Sequence, residues 1–151
     1  MKVEEFMKHA ASSCSPDTAL SEVADRLTEV GCGVLAVVTR AGRVLGVVSD
    51  RDVCRVVAHA APGFDFSVLR ARDAMTPSPA VVARHEDIGV ALARMRAQRL
   101  RRLPVTDGEG RLEGLLSLDE IVASSLPVGS DENQDLLRTL RALGTAAPQH
   151  I

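Results

Sequence analysis

The sequence predicts an α+β fold, with two tandem copies of a β-α-β-β-α unit followed by one further helix. Three observations predict it. A gapless shift of 68 residues lays Gly42 on Gly110, Gly46 on Gly114, Leu35 on Leu103 and Val37 on Val105, so the turn glycines and apolar positions that set a backbone occur twice. Each half carries an i, i+3, i+4 apolar stripe and then two short apolar runs around a glycine-containing turn, the periods of a helix and of a hairpin. The composition is that of a globular chain: 151 residues, 46% hydrophobic and 25% charged, which excludes disorder. A half-length unit buries too little surface to be comfortably stable, so each copy is expected to need its neighbour.

The elements follow in order. A short strand is expected at 11–14. Ser15, Pro16 and Asp17 are start signals for a helix over 17–30, in which Leu20, Val23, Ala24, Leu27 and Val30 form one buried stripe and Gly31 is the stop. Strands at 34–39 and 44–49 flank a turn at 40–43, and a second helix follows over 51–59. Ala61, Pro62 and Gly63 break the chain. The second copy repeats the order: a strand at 80–83, a helix marked by Ile88, Ala91, Leu92 and Met95, strands at 103–106 and 112–117, and a closing helix over 118–125. The copies are placed at 1–60 and 71–126, with a linker at 61–70 and a tail at 127–151. In the tail Ser130 is positioned to cap a helix over 131–143. Leu136, Leu137, Leu140 and Leu143 give it one apolar face and Gly144 ends it. That helix is expected to pack on the pair of copies or on a second subunit.

Several function classes are excluded. No apolar run approaches the ~18 residues of a membrane span. The first residues lack a basic region followed by an apolar one, so retention in the cytoplasm is the default expectation. Cys14, Cys32 and Cys54 are scattered with no CxxC spacing, and His9, His59, His85 and His150 show no i, i+4 pair. That pattern argues against a disulfide framework and against a metal site, and small buried thiols are expected. With no Trp, no Tyr and only Phe6, Phe64 and Phe66, the core must be aliphatic. The same scarcity and a net charge of −2 weigh against nucleic-acid binding. Neither a phosphate-binding glycine loop nor a nucleophile elbow is present, so the chain is not expected to be an enzyme.

Two sets of segments carry a resemblance. The first copy has Ser15-Pro16-Asp17-Thr18 and then Gly42-Arg43-Val44-Leu45-Gly46-Val47-Val48-Ser49-Asp50-Arg51-Asp52-Val53. The second has Asp73-Ala74-Met75-Thr76, Arg99-Leu100-Arg101-Arg102-Leu103-Pro104-Val105, and Gly108-Glu109-Gly110-Arg111-Leu112-Glu113-Gly114-Leu115-Leu116-Ser117. In order and spacing, found twice, these segments resemble the CBS-domain family across both copies. The resemblance implies two CBS repeats packed as a pseudo-twofold pair, a Bateman module, with facing sheets and two clefts. It also implies a small adenosyl ligand there: AMP, ADP, ATP or S-adenosylmethionine. Output would pass to an effector protein or through a homodimer.

The residues that could hold such a ligand form three groups. A helix starting after Ser49 offers free N–H groups to a phosphate. Ser49 adds a hydroxyl, and Asp52, one turn on, can accept from both ribose hydroxyls; the resemblance assigns these roles to the matching residues. Ser117 and Glu120 are the second copy's counterparts. Ser-x-x-Glu is also a capping box; capping is the preferred reading for Ser117 and Glu120, and ligand contact for Ser49 and Asp52. The second group is basic: Arg94, Arg96, Arg99, Arg101 and Arg102. The stretch from Arg99 to Val105 is similar to a segment of AMP-activated kinase gamma subunits, where basic residues contact nucleotide phosphates. Dipole compensation at a helix end accounts for Arg94, Arg96 and Arg99 better than for Arg101 and Arg102. Third, Ser13 stands where many family members have a ligand-touching Thr, and its counterpart Val81 cannot hydrogen-bond by side chain. The alternative is a ligand-independent dimerisation or interaction scaffold with vestigial clefts. Ala36 in place of the family's proline, Val81 and Glu120 favour it.

Overall fold

The computed structural model describes residues 1–9, 11–31, 33–124 and 126–144. Cys32, Ser125, His150 and the rest of the tail beyond Gly144 lie outside the described residues, as does the end of the expected 118–125 helix. The fold is α+β, with two sheets. One has the order β1 (Ser13–Cys14), β2 (Val34–Val38), β3 (Val44–Ser49), β4 (Thr76–Pro77). Its β1 runs parallel to β2, while the β2–β3 and β3–β4 pairs are antiparallel. The other has the order β5 (Val82–Ala83), β6 (Arg102–Thr106), β7 (Leu112–Ser117), with β5 parallel to β6. The α-helices are α1 (Leu20–Val30), α2 (Asp50–His59), α3 (Ala71–Ala74), α4 (Ile88–Gln98), α5 (Leu118–Ala123) and α6 (Asp131–Gly144).

The chain divides into two compact units. Of the described residues, the first-copy unit holds those within 11–79 and 108–112; the second-copy unit holds 1–9, 80–107 and those from Glu113 to Gly144. The segment leading into each copy is thus built into the unit of the other. Residues 3–5 form a 3-10 turn, and Val3 and Phe6 are buried with Ile88, Leu92, Leu103 and Leu116 in the second-copy core. The first-copy core gathers Val23, Leu27, Leu35, Val37 and Val48 with Ala71 and Ala74 of α3. The repeated glycines of the second hairpin strands explain why these segments fit. A Cβ on Gly46 would lie 2.8 Å from the Thr76 carbonyl oxygen. A Cβ on Gly114 would run into the Lys8 carbonyl oxygen, the counterpart contact. Only glycine lets the crossing segment come this close.

Local chemistry shifts some expected boundaries. Helix α1 begins at Leu20, not at Asp17, because the start signals are consumed in a turn. Ser15 N–H donates to Thr18 Oγ1 at 3.0 Å, and Asp17 N–H donates to Ser15 Oγ at 3.2 Å. Strand β4 and helix α3 have no counterpart in the expected elements. Helix α6 forms where the leucine stripe predicts it and packs on α4. Leu136 is buried and Leu140 and Leu143 pack on the core, but Leu137 is 47% exposed, so the apolar face is narrower than the stripe implied. Thr139 fills its centre with no exposed surface: its hydroxyl donates to the Asp135 carbonyl at 2.7 Å and accepts from Arg96 Nη1 at 3.2 Å. Cys14 is buried, and burial pushes its thiol pKa up. Cys54 corrects the expectation of buried thiols: it is free and exposed on α2, at the open groove between α1 and α2.

Candidate functional site

In the first-copy unit the strand β3 leads directly into α2, which sets Ser49 at the helix N-cap and Asp52 one turn in. The two side chains close on each other. Asp52 N–H donates to Ser49 Oγ at 3.3 Å, while Ser49 N–H and Oγ–H donate to Asp52 Oδ2 at 2.8 and 2.7 Å. Asp52 Oδ1 meets Arg55 at 3.2 Å. Asp52 is 6% exposed, so both of its oxygens are engaged within the unit. The capping box expected at Ser117 and Glu120 is therefore complete at Ser49 and Asp52. Ser13 lies on β1 and is separated from β3 by β2. Its carbonyl accepts from Arg26 Nη1 at 2.8 Å.

In the second-copy unit the same junction, β7 into α5, is rebuilt with charge. Ser117 Oγ accepts from Glu120 N–H at 3.1 Å, but the Glu120 carboxylate pairs with Lys8 Nζ at 2.7 Å. The longer side chain reaches a lysine whose counterpart in the other unit is Thr76, an uncharged residue. Arg101 and Arg102 converge on the one carboxylate of Asp119, each through Nη2 at 3.5 Å. Asp119 is 61% exposed, so solvent screens both pairs and they are weakly held. Arg102 Nε is different: it is buried and has no hydrogen-bond partner among the described residues. A buried donor without an acceptor is unfavourable by about 1–3 kcal/mol. Arg99 stands apart as the left-handed C-cap of α4, with φ 55°. The fold thus brings Arg101, Arg102, Ser117 and Glu120 to one end of α5, and Ser49 and Asp52 to the start of α2.

Two arginines turn out to be struts. Arg94 donates to the Val81 carbonyl at 2.7 Å and makes two bonds of 2.8 Å to the Glu86 carboxylate. Hydrogen bonding to Arg94 holds Glu86 below the usual glutamate range. Arg26, at the same repeat position, donates to the Ser13 carbonyl. The 68-residue shift lays Arg26 on Arg94 and Ser13 on Val81, so the repeat itself carries the signal of this role. Among the described residues no group of three His, Cys, Asp or Glu side chains is placed to hold a metal. Among the same residues no helix is long and apolar enough to cross a membrane.

The CBS domain family matches residues 3–59 and again 71–127. The chain belongs to that family and carries the domain twice. Among solved structures it is similar to the CBS domain protein PAE2072 from Pyrobaculum aerophilum complexed with AMP, at 26% identity and a TM-score of 0.71, over 97% of this chain and 100% of that one. It is also similar to CBSX2 from Arabidopsis thaliana, solved in complex with AMP, at 26% identity and a TM-score of 0.69, over 82% of this chain and 94% of that one. The Bacillus subtilis protein YlbB is 30% identical over 125 residues, 82% of this chain and 81% of its own length. The chain spans only 61%, 24% and 38% of the first curated relatives that it matches; the 24% is its share of an inosine-5'-monophosphate dehydrogenase from Mycobacterium leprae.

Proposed function

We propose that the chain is a non-catalytic regulatory module that senses an adenine nucleotide or a related adenosyl compound. It relays occupancy through its own dimer or to an effector protein. The observation that carries this reading is the Arg101–Arg102 pair, in which a buried Nε lacks an acceptor and the shared Asp119 carboxylate is exposed and loosely held. A phosphate can displace such a carboxylate and accept bidentate bonds from both guanidinium groups. Two relatives at 26% identity are solved with AMP, which supports the adenosyl class. In the first-copy unit ribose is assigned to Asp52 and phosphate to Ser49, with Ser13 as a secondary contact; in the second-copy unit phosphate is assigned to Arg101 and Arg102, with Arg99, Ser117 and Glu120 as secondary contacts. The match to a dehydrogenase covers 24% of that enzyme, in keeping with a module that is not the whole enzyme, and the cytoplasm is its expected compartment.

The test is calorimetric titration of nucleotide-free protein with AMP, ADP, ATP and S-adenosylmethionine. The expected affinity is millimolar to micromolar, about 4–8 kcal/mol. Arg102→Ala is expected to weaken phosphate-bearing ligands more than tenfold, and no heat from any of the four ligands overturns the reading. One observation favours the second reading, an interaction scaffold: the Ser49–Asp52 box is closed, with both Asp52 oxygens engaged. Asp52→Ala separates the two. Lost binding supports sensing, whereas lost thermal stability with unchanged binding supports a cap and removes Asp52 from the site.

A further inference from the structure

We propose that Lys8 makes the second-copy site selective for a nucleoside di- or triphosphate over a nucleoside monophosphate or a sulfonium adenosyl compound. The inference deepens the nucleotide reading above and rests on it. Two sets of cations meet the first turn of α5, each held by one carboxylate. Arg101 and Arg102 share Asp119, each at 3.5 Å. Lys8 Nζ lies 2.7 Å from Glu120 Oε1. Asp119 and Glu120 are consecutive, so both sets flank a single helical turn. The Lys8 backbone is anchored beside β7: its N–H donates to the Leu115 carbonyl, and Leu115 N–H donates to the Lys8 carbonyl, both at 2.9 Å. Its side chain is 70% exposed. Water screens the pair with Glu120, and another anion can exchange into it.

The charges at this junction point to the ligand class. Lys8, Arg101 and Arg102 stand against Asp119 and Glu120. Arg84 pairs with Glu113 toward the other end of β7, and Arg99 caps α4. A monophosphate carries about two negative charges near neutral pH, which two guanidinium groups match; a diphosphate carries about three, and the third calls for a further cation. Lys8 is the cation that this end of α5 still offers. The planar arginines fix the first phosphate, and an ammonium on a flexible stem suits the next one as a point charge. Glu120, released by Lys8, can then accept from ribose hydroxyls. S-adenosylmethionine carries a sulfonium and an ammonium and no phosphate, so the same three cations repel it. The first-copy junction lacks the set. The 68-residue shift lays Gly33 and Val34 on Arg101 and Arg102, Arg51 on Asp119, and Lys8 on Thr76. Its charged groups are Asp50, Arg51, Asp52 and Arg55, all on α2, with none on the strand before. The selectivity therefore belongs to the second-copy unit.

The test is the ratio of ADP to AMP affinity, measured by calorimetric titration of the nucleotide-free full chain, with S-adenosylmethionine as a third ligand. Wild type is expected to bind ADP at least about tenfold more tightly than AMP, as one added charge-assisted contact would give. Lys8→Gln is expected to bring the ratio close to one, and Lys8→Arg to keep most of it. Lys8 is exposed, and circular dichroism checks that both variants are folded. Glu120→Gln removes the competing carboxylate and is expected to raise the ratio above that of wild type. Reading a ratio separates a phosphate contact from a purely structural pair, whose loss would weaken ADP and AMP alike. A wild-type ratio near one, a ratio unmoved in Lys8→Gln, or S-adenosylmethionine binding as tightly as ADP overturns this inference and leaves the adenosyl reading standing. No heat from any of the three ligands, nor from ATP, overturns both.

Discussion

Arg99 and Glu86 show how single residues carry the fold's constraints. Arg99 ends α4 at φ 55°, while its repeat counterpart Gly31 ends α1 at φ 64°. The left-handed conformation is unfavourable by about 1–2 kcal/mol for a residue with a Cβ and free for glycine. Arg99→Gly is therefore expected to raise stability by roughly 1 kcal/mol in denaturant titration, and an unchanged midpoint would show that the cap carries no strain. Glu86 titrates in the opposite sense to a buried acid. Its folded pKa lies below the unfolded value, so the stabilisation by Arg94 is present above the ordinary glutamate pKa and is lost as pH falls through the folded pKa. Stability measured from pH 6 downward is expected to fall less steeply in Glu86→Gln than in wild type. Equal slopes would mean that the Arg94 pair is not the acid-labile contact.

At the scale of elements, the second hairpin strands decide how each sheet is completed. Gly46 and Gly114 sit under crossing segments that a methyl group would strike. Gly46→Ala and Gly114→Ala are each expected to destabilise by about 1–3 kcal/mol through overpacking. Thermal unfolding measures it, and a loss as small as that of an ordinary surface substitution would show that the segments simply shift aside. The glycines, the hairpins and the helix stripes were legible in the sequence because they are local and occur twice. The partners of the glycines were not, since Thr76 and Lys8 reach them from segments that no periodicity connects to those strands. Helix α6 divides in the same way. Its existence follows from Ser130 and the leucine spacing, but Thr139 at the centre of its buried face reads as surface in one dimension.

For the whole molecule the consequence is that neither copy is completed by its own leading segment. The second-copy core includes Val3 and Phe6, each nearly or fully buried. Removal of residues 1–8 is expected to cost about 1.5–3 kcal/mol for each of these side chains and to melt the second-copy unit first, giving two calorimetric transitions. A single transition at the wild-type temperature would overturn that expectation.

The sequence by itself determined the repeat, the order of strands and helices, the family resemblance and the residue types available for a phosphorylated nucleoside, because each of these is written in local period or in fixed spacing. Only the tertiary structure decided which leading segment completes which sheet, which serine–carboxylate pair closes as a cap, and which arginines are struts. Those outcomes depend on distant groups competing for the same hydrogen bonds. Lys8 draws Glu120 away from Ser117, whereas nothing charged at Thr76 draws Asp52 from Ser49. A competition between partners brought together by folding leaves no mark on the spacing of either one.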